Sequence, residues 1–403
     1  MPSIADQPPP SPSQSKKPWI ETPLIESAPL SKAAGCRIFL KLELLQPSGS
    51  FKSRGIGNLI LAHLSDPSSQ GKKLHFYSSS GGNAGLAAVI AARDLGCPCT
   101  VVVPMTTKPM MVQKLRDAGA TDVIQHGASW YEADTYLREN FIEVPGQKQT
   151  NSKGEQQGAP DVSVTSNEQV KNVYVPPFDH PHIWEGNSTM VPELVAQLPP
   201  REDGDSTKFP ADVIVCSVGG GGLFNGIIRG LEEHIRKQQQ QQQQVQDGPA
   251  SAEKKVQVLA VETKGADSLA YALEKGSLQS LPAITSMATS LGALRVAAQT
   301  FKNASSPPPG IEVTSVVASD AEAARGVVQL AEDSRLIVEL ACGVSVDVAT
   351  SVRLKEVVKN LNPNTRVVVI VCGGSNITPE MVGEYRHRLK YGWDNVPRMD
   401  DEK

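Results

Sequence analysis

The chain has 403 residues, 39% of them hydrophobic, and a formal net charge of -4. That length allows two domains with real cores, and the mixed charge lacks the basic field a nucleic-acid partner would need. No apolar run reaches the roughly 18–20 residues that span a bilayer, so no membrane segment is expected.

In chain order, Met1–Ser15 is Pro/Ser-rich, contains Asp6 and lacks an apolar h-region. Residues 1–18 are therefore predicted as a disordered leader rather than a signal or transit peptide. The apolar run Ile38-Phe39-Leu40 leads into Gly49-Ser50-Phe51-Lys52-Ser53-Arg54-Gly55. A lysine in a turn is ordinarily a solvated charge. Here Lys52 stands among small residues where strand passes into helix, so a ligand can approach its amine, and desolvation would free that amine for Schiff-base chemistry.

Short β-branched runs then alternate with helical patterns. The runs are Leu74–Tyr77, Thr100–Val103, Asp122–Ile124, Val173–Val175, Val213–Cys216, Val256–Val261, Val313–Val317 and Val367–Val371. Between them lie stretches of helical pattern such as Asn83–Leu95, Lys108–Ala118, Ser129–Asn140 and Leu223–Arg236. The alternation predicts an α/β fold with parallel sheets covered by helices on both faces. Three polar segments, Gly146–Asn172, Pro199–Phe209 and the polyglutamine run Gln238–Gln244 leading into Asp247-Gly248-Pro249, read as surface loop insertions. The six cysteines sit mostly in apolar runs, as buried free thiols of a reducing, cytoplasmic compartment do. Cys97-Pro98-Cys99 has no histidine cluster beside it and reads as structural.

Two glycine-rich turns each follow a predicted strand and open a helix. Ser78-Ser79-Ser80-Gly81-Gly82-Asn83-Ala84-Gly85 presents hydroxyls and N–H groups at a helix N-terminus, which suits a carboxylate. Gly219-Gly220-Gly221-Gly222 permits the close backbone approach of a phosphate cradle. A dinucleotide fingerprint fails there, because the third position of its register is Phe224 or Asn225, and no Gly-Lys-Ser/Thr follows for a P-loop. A third turn, Val371-Cys372-Gly373-Gly374-Ser375-Asn376, ends another strand. Ligands of open α/β sheets bind beyond the carboxyl ends of strands. Phosphate loop, carboxylate loop and lysine together suit pyridoxal phosphate.

These segments, with Val261-Glu262-Thr263-Lys264-Gly265-Ala266, resemble the serine/threonine dehydratase family, and within it the catabolic L-serine dehydratases of animals and fungi. The resemblance covers roughly Trp19 to Arg388 apart from the polar insertions. It implies a two-domain tryptophan-synthase β-like fold (pyridoxal-phosphate fold type II). Residues 55–175 would form the small domain, with residues 19–54 and 176–403 the large cofactor-binding domain carrying insertions near 199–209 and 237–255. It implies β-elimination of L-serine, and of L-threonine, to a 2-oxo acid and ammonia in a cytoplasmic homodimer of amino-acid catabolism and gluconeogenesis.

The resemblance assigns Lys52 as the Schiff-base lysine and Phe51 as the residue on one face of the cofactor ring. Asn83 would meet the ring hydroxyl, Gly219, Gly220, Gly221 and Gly222 the phosphate, and Cys372 the ring nitrogen. Ser78, Ser79, Ser80 and Gly81 would hold the substrate carboxylate. Glu262, Ala266 and Leu291 match a monovalent-cation site, taken as potassium; an acidic residue at a strand end is the alternative reading of Glu262. Two departures stand out. Glu339-Leu340-Ala341 replaces the usual Glu-Pro-Ala, and Trp184-Glu185-Gly186-Asn187 replaces Trp-x-Gly-His. Both leave the assigned chemical groups in place, and are expected to touch turnover or substrate preference. Serine racemization, β-replacement and a catalytically weak binding relative are the competing functions.

Overall fold

The computed structural model describes residues 17–143, 170–201, 209–243 and 255–393. Met1–Ser15 of the expected leader, and most of the three polar insertions, lie outside the described residues. The chain separates into two compact units, one containing Leu59–Pro177 and the other Trp19–Asn58 with Phe178–Lys403.

The larger unit is built on a six-stranded sheet. In chain order its strands are β1 (Leu24–Glu26), β2 (Arg37–Lys41), β7 (Val213–Ser217), β8 (Val256–Thr263), β9 (Ile311–Ala318) and β10 (Arg366–Ile370). Their spatial order is β1-β2-β10-β7-β8-β9. All neighbours pair in parallel except β1, which lies antiparallel on β2 with Leu24 opposite Lys41. The strands β7 and β10 are buried along their whole length, as the near-continuous valine runs predict for a sheet covered on both faces. Helix α12 (Leu340–Thr350) packs on β7, β8 and β10, joined by α1 (Ala28–Ala34) and α11 (Asp320–Ser334). Helix α8 (Gly222–Gln243) packs on β7 and β9 together with α6 (Pro181–Ser188), α7 (Met190–Gln197) and α10 (Ala298–Ser305).

The smaller unit has a four-stranded parallel sheet of β3 (Lys73–Ser78), β4 (Cys99–Val103), β5 (Asp122–Gln125) and β6 (Val170–Tyr174), ordered β5-β4-β3-β6. Helix α3 (Asn83–Asp94) packs on β3 and β4, α4 (Pro109–Asp117) on β5 and α5 (Trp130–Leu137) on β4.

Three sequence expectations change. The polyglutamine run is not all loop: α8 continues through it to Gln243, because glutamine is a good helix former and extends a helix already nucleated. The polar segment expected to reach Asn172 gives its last residues to β6, where Val170 pairs with Lys73 and Asn172 with His75. Its polar side chains are satisfied there: Asn172 donates to the Phe141 carbonyl (2.7 Å), and Lys171 to Ser68 and Ser69. Phe209, taken as the end of an insertion, is 5% exposed and part of the core. Among the described residues no helix is long and apolar enough to cross a membrane.

Candidate active site

The strands β2, β10, β7 and β8 are neighbours, so the segments that follow their carboxyl ends lie side by side. Lys52 follows β2, Cys372 follows β10, Gly219–Gly222 follows β7, and Glu262 is the last residue but one of β8. Lys52 is the first residue of α2 (Lys52–Ser65). Its turn is tied to the one after β10. The Phe51 N–H donates to the Cys372 carbonyl (3.1 Å), and the Gly374 N–H donates to the Gly49 carbonyl (2.9 Å). The approach is too close for a side chain at Gly373, whose φ is +83° and whose Cβ would meet the Gly49 carbonyl and Leu44. The Lys52 amine lies 5.3 Å from the centre of the Phe51 ring. Burial pushes it down to about 8, with Cys372 acting in the opposite direction.

Beneath this turn is a buried ion cluster. Arg54, two residues past Lys52, is fully buried and donates to Glu43 (2.7 and 2.8 Å) and Glu193 (2.5 and 2.7 Å). Lys41 donates to Glu193 (2.5 Å), Gln197 (2.8 Å) and the Thr22 carbonyl (2.7 Å). Two cations thus face two carboxylates, which is how buried charge is tolerated at all. The cluster fixes the first turn of α2 against β2 and α7, and with it the Cα of Lys52.

The glycine loop is shaped from outside. Gly219 packs against the Leu291 backbone and Gly220 under the Phe178 ring. The Gly220 carbonyl accepts from the Ala297 N–H (3.0 Å) and the Thr300 hydroxyl (3.3 Å). The Gly222 carbonyl accepts from the Asn187 amide (2.9 Å). In a trans peptide the N–H points opposite the preceding carbonyl, so the Gly221 and Leu223 N–H groups face away from these clamps. Asn187, the second departure, is 1% exposed and serves as one of the clamps.

Cys372 is 6% exposed. The Cys342 thiol beside it, burial, and the Glu339 carboxylate hold its thiol well above the usual range, so it stays protonated. Glu339 itself precedes α12 and joins three segments. It accepts from the Asn376 N–H (2.7 Å) and from the Ser290 hydroxyl, and it packs where a side chain at Gly374 would stand. Leu340, the first departure, occupies the first position of α12 and is buried. Proline is favoured there because its missing N–H is an orphan anyway; here the Glu339 contacts hold the turn in its place.

Glu262 is fully buried, and burial pushes its carboxyl up to about 8. Its two oxygens accept from the Leu269 and Ala270 N–H groups (both 2.8 Å), at the start of α9 (Ser268–Lys275). The side chain thus caps a helix, whichever further role it has. Ala266 and Leu291 are both buried. Among the described residues no three His, Cys, Asp or Glu side chains group as metal ligands.

In the smaller unit, Ser78 ends β3 and Asn83 opens α3, whose N-cap Gly82 offers no side-chain cap. The amides of that first turn therefore suit an anion. Ser78 and Ser79 are each 1% exposed, Ser80, Gly81 and Asn83 half-buried, and Gly81 lies against Thr107 and Val103. The Ser79 hydroxyl donates to Asp134 (2.6 Å).

Within the larger unit the structure thus brings Lys52, Phe51, the glycine loop, Cys372, Leu291 and Glu262 to adjoining strand ends. The serine loop and Asn83 are placed together in the smaller one. Reading the sequence missed the partners: Glu43 and Glu193 for Arg54, Glu339 for the Cys372 turn, Asp134 for Ser79. Charges embedded in apolar runs, as in Phe39-Leu40-Lys41-Leu42-Glu43-Leu44, were the available signal for the first.

The donor set fits a phosphorylated aldehyde cofactor: N–H groups in a loop closed to side chains, an amine whose proton burial loosens, and a protonated thiol. Comparison with known proteins agrees. Residues 16–373 match the family model described as pyridoxal-phosphate dependent enzyme, and the chain belongs to that family. It is 40% identical over 363 residues to an L-serine dehydratase of Saccharomyces cerevisiae (strain AWRI1631), covering 89% of this chain and 94% of that protein. It is 38% identical over 362 residues to the L-serine dehydratase/L-threonine deaminase of Mus musculus, covering 89% and 92%. Its fold matches the crystal structure of a fungal L-serine ammonia-lyase from Rhizomucor miehei with a TM-score of 0.73 at 31% identity, over 93% of this chain and all of that one.

Proposed function

We propose that this protein is a pyridoxal-phosphate dependent L-serine ammonia-lyase, also acting on L-threonine, that releases pyruvate or 2-oxobutanoate with ammonia. The observation that carries the reading is the row of neighbouring strand ends bearing Lys52, Cys372 and the glycine loop. Lys52 would hold the cofactor's aldehyde, the N–H groups of Gly219–Gly222 its phosphate, and Asn83 its ring hydroxyl, with Phe51 against the ring. When bound, the cofactor supplies an electron sink that makes the substrate's Cα–H acidic.

The chain's own residues do the rest. The serine loop and the first turn of α3 bind the substrate carboxylate. Lys52 Nζ, whose charge burial disfavours, is the base for the Cα proton. The β-hydroxyl leaves as water, the proton it needs being balanced by the one Lys52 takes from Cα, and the released aminoacrylate hydrolyses to the oxo acid and ammonia. Cys372, kept protonated, would offer the cofactor's ring nitrogen no negative partner, a setting that suits prompt loss of the β-hydroxyl. Glu262 with the Ala266 and Leu291 carbonyls is proposed to hold a potassium ion that would compensate the buried carboxyl. The same reading makes the protein a cytoplasmic homodimer, with its mass in solution as the check.

The test is 2-oxo acid release by purified protein with pyridoxal phosphate, offered L-serine, L-threonine and D-serine separately, in potassium and in a bulky organic cation. Pyruvate from L-serine, faster in potassium, is expected. No oxo acid from a protein that carries cofactor would sink the lyase reading in favour of racemization, β-replacement or binding alone; equal rates in both salts would sink the cation site.

A further inference from the structure

Three serines in one loop look like three equivalent hydroxyl donors for a carboxylate, and their hydrogen bonds say otherwise. The Ser80 N–H donates to the Ser78 hydroxyl oxygen (3.4 Å) and the Gly82 N–H to the Ser80 oxygen (3.3 Å). Both hydroxyls are therefore acceptors here and keep their own protons to give. Ser79 is different. Its oxygen lies 2.6 Å from Asp134 Oδ1, and a carboxylate only accepts, so the single Ser79 proton points at Asp134.

Asp134 is itself locked. The Tyr174 hydroxyl donates to the same Oδ1 (2.6 Å), and Arg138, one turn on in sequence, donates to Oδ2 (2.7 Å). The Arg138 guanidinium lies 3.9 Å from the centre of the Tyr174 ring. Asp134 is 8% exposed and sits on α5, and Tyr174 ends β6, so helix and strand converge on one loop hydroxyl. Burial and the bond to Asp134 push Tyr174 up to about 12, which keeps it a donor at any ordinary pH.

We infer that Asp134, held by Tyr174 and Arg138, is a positioning residue for the substrate carboxylate: it removes Ser79 from the set of direct donors and uses it to fix the loop, leaving the half-buried Ser80 and the α3 amides to meet the substrate. The inference rests on the lyase reading of this loop. It gives substrate affinity a control that touches neither cofactor nor substrate.

The test uses the holoenzyme with Ser79→Ala, Asp134→Ala, the double variant, and Tyr174→Phe as the mildest change. Losing a hydrogen bond to a charged group is expected to raise KM for L-serine about tenfold in each of the first three, with kcat within about threefold and no further rise in the double. Tyr174→Phe moves KM the same way by about threefold. If Ser79 instead donates directly, Ser79→Ala raises KM while Asp134→Ala, which frees the proton, lowers it; that result, or additive effects, overturns the inference. Amide exchange across Ser78–Asn83 needs no turnover. Faster exchange in Asp134→Ala supports the positioning role and unchanged exchange overturns it, even if the wild-type protein makes no pyruvate and the lyase reading itself fails.

Discussion

Replacing Lys52 with alanine is expected to lower pyruvate formation from L-serine by about a thousandfold or more, the range over which a positioned base and covalent anchor act. The chain has 39 lysines and arginines, yet this amine differs from an ordinary surface lysine by its setting. It opens a helix, its turn is pinned to the Cys372 turn, and burial brings it down to about 8. The same burial separates loss of chemistry from loss of fold. In the cofactor-free protein the folded state holds the Lys52 proton less tightly than the unfolded chain, whose lysines keep their ordinary value of 10.5. Between pH 8 and 10.5 the unfolded state therefore binds more protons, and wild-type stability rises with pH across that window. Below pH 8 the full burden of charging a buried amine remains, about 3 kcal/mol from the size of the shift. Cofactor-free Lys52→Met should thus melt above wild type at pH 7, with the gap closing toward pH 10.5. Pyruvate formation that survives in Lys52→Ala, measured with cofactor in excess, would remove Lys52 from the mechanism. A melting gap that does not change with pH would show that Lys52 titrates normally.

The second large effect is expected at Gly221. Its φ is +95°, and a Cβ there would run into the side chain of Thr300, the residue whose hydroxyl clamps the Gly220 carbonyl. Gly221→Ala must strain the backbone and push α10 away from the loop at once, a combination costing about 3 kcal/mol or more. That corresponds to at least about a hundredfold weaker binding of pyridoxal phosphate, read by titrating the cofactor-free protein. Gly82→Ala is the control, with ordinary φ and nothing closer than the Ser80 hydroxyl at 3.9 Å to a new Cβ. Equal cofactor affinity in wild type and Gly221→Ala would mean that the phosphate sits elsewhere.

Most of the sheet was readable from the chain, because a buried parallel strand writes itself as a short valine run between turn residues. Eight strands were expected and lie at those places, with ends shifted by a few residues. The two that were not named have physical reasons. The three residues of β1 carry no pattern, with Glu26 paired to Arg37 (2.8 Å) at an exposed edge. The run at β2, Ile38-Phe39-Leu40, is short and reads in the sequence only as the approach to Lys52. The polyglutamine run departs from a loop for a related reason: composition describes an isolated segment, whereas Gln238–Gln243 extends a helix whose cost of nucleation is already met at Gly222.

From the sequence alone came the local chemistry of the candidate site: a lysine in a small-residue turn, a glycine loop after an apolar strand, a serine loop before a helix, and a thiol after the last strand. Each is set by residues within a few positions of one another, so period, turn geometry and side-chain type suffice to read it. Only the tertiary structure decided what surrounds those groups. Arg54 meets Glu193 across 139 positions of chain, Ser79 meets Asp134 across 55, and Asn187 reaches the Gly222 carbonyl across 35. No local pattern encodes such pairings. They follow from which strand ends adjoin and which helix packs beside them, and a buried charge or amide leaves no period in the sequence to say where its partner will be.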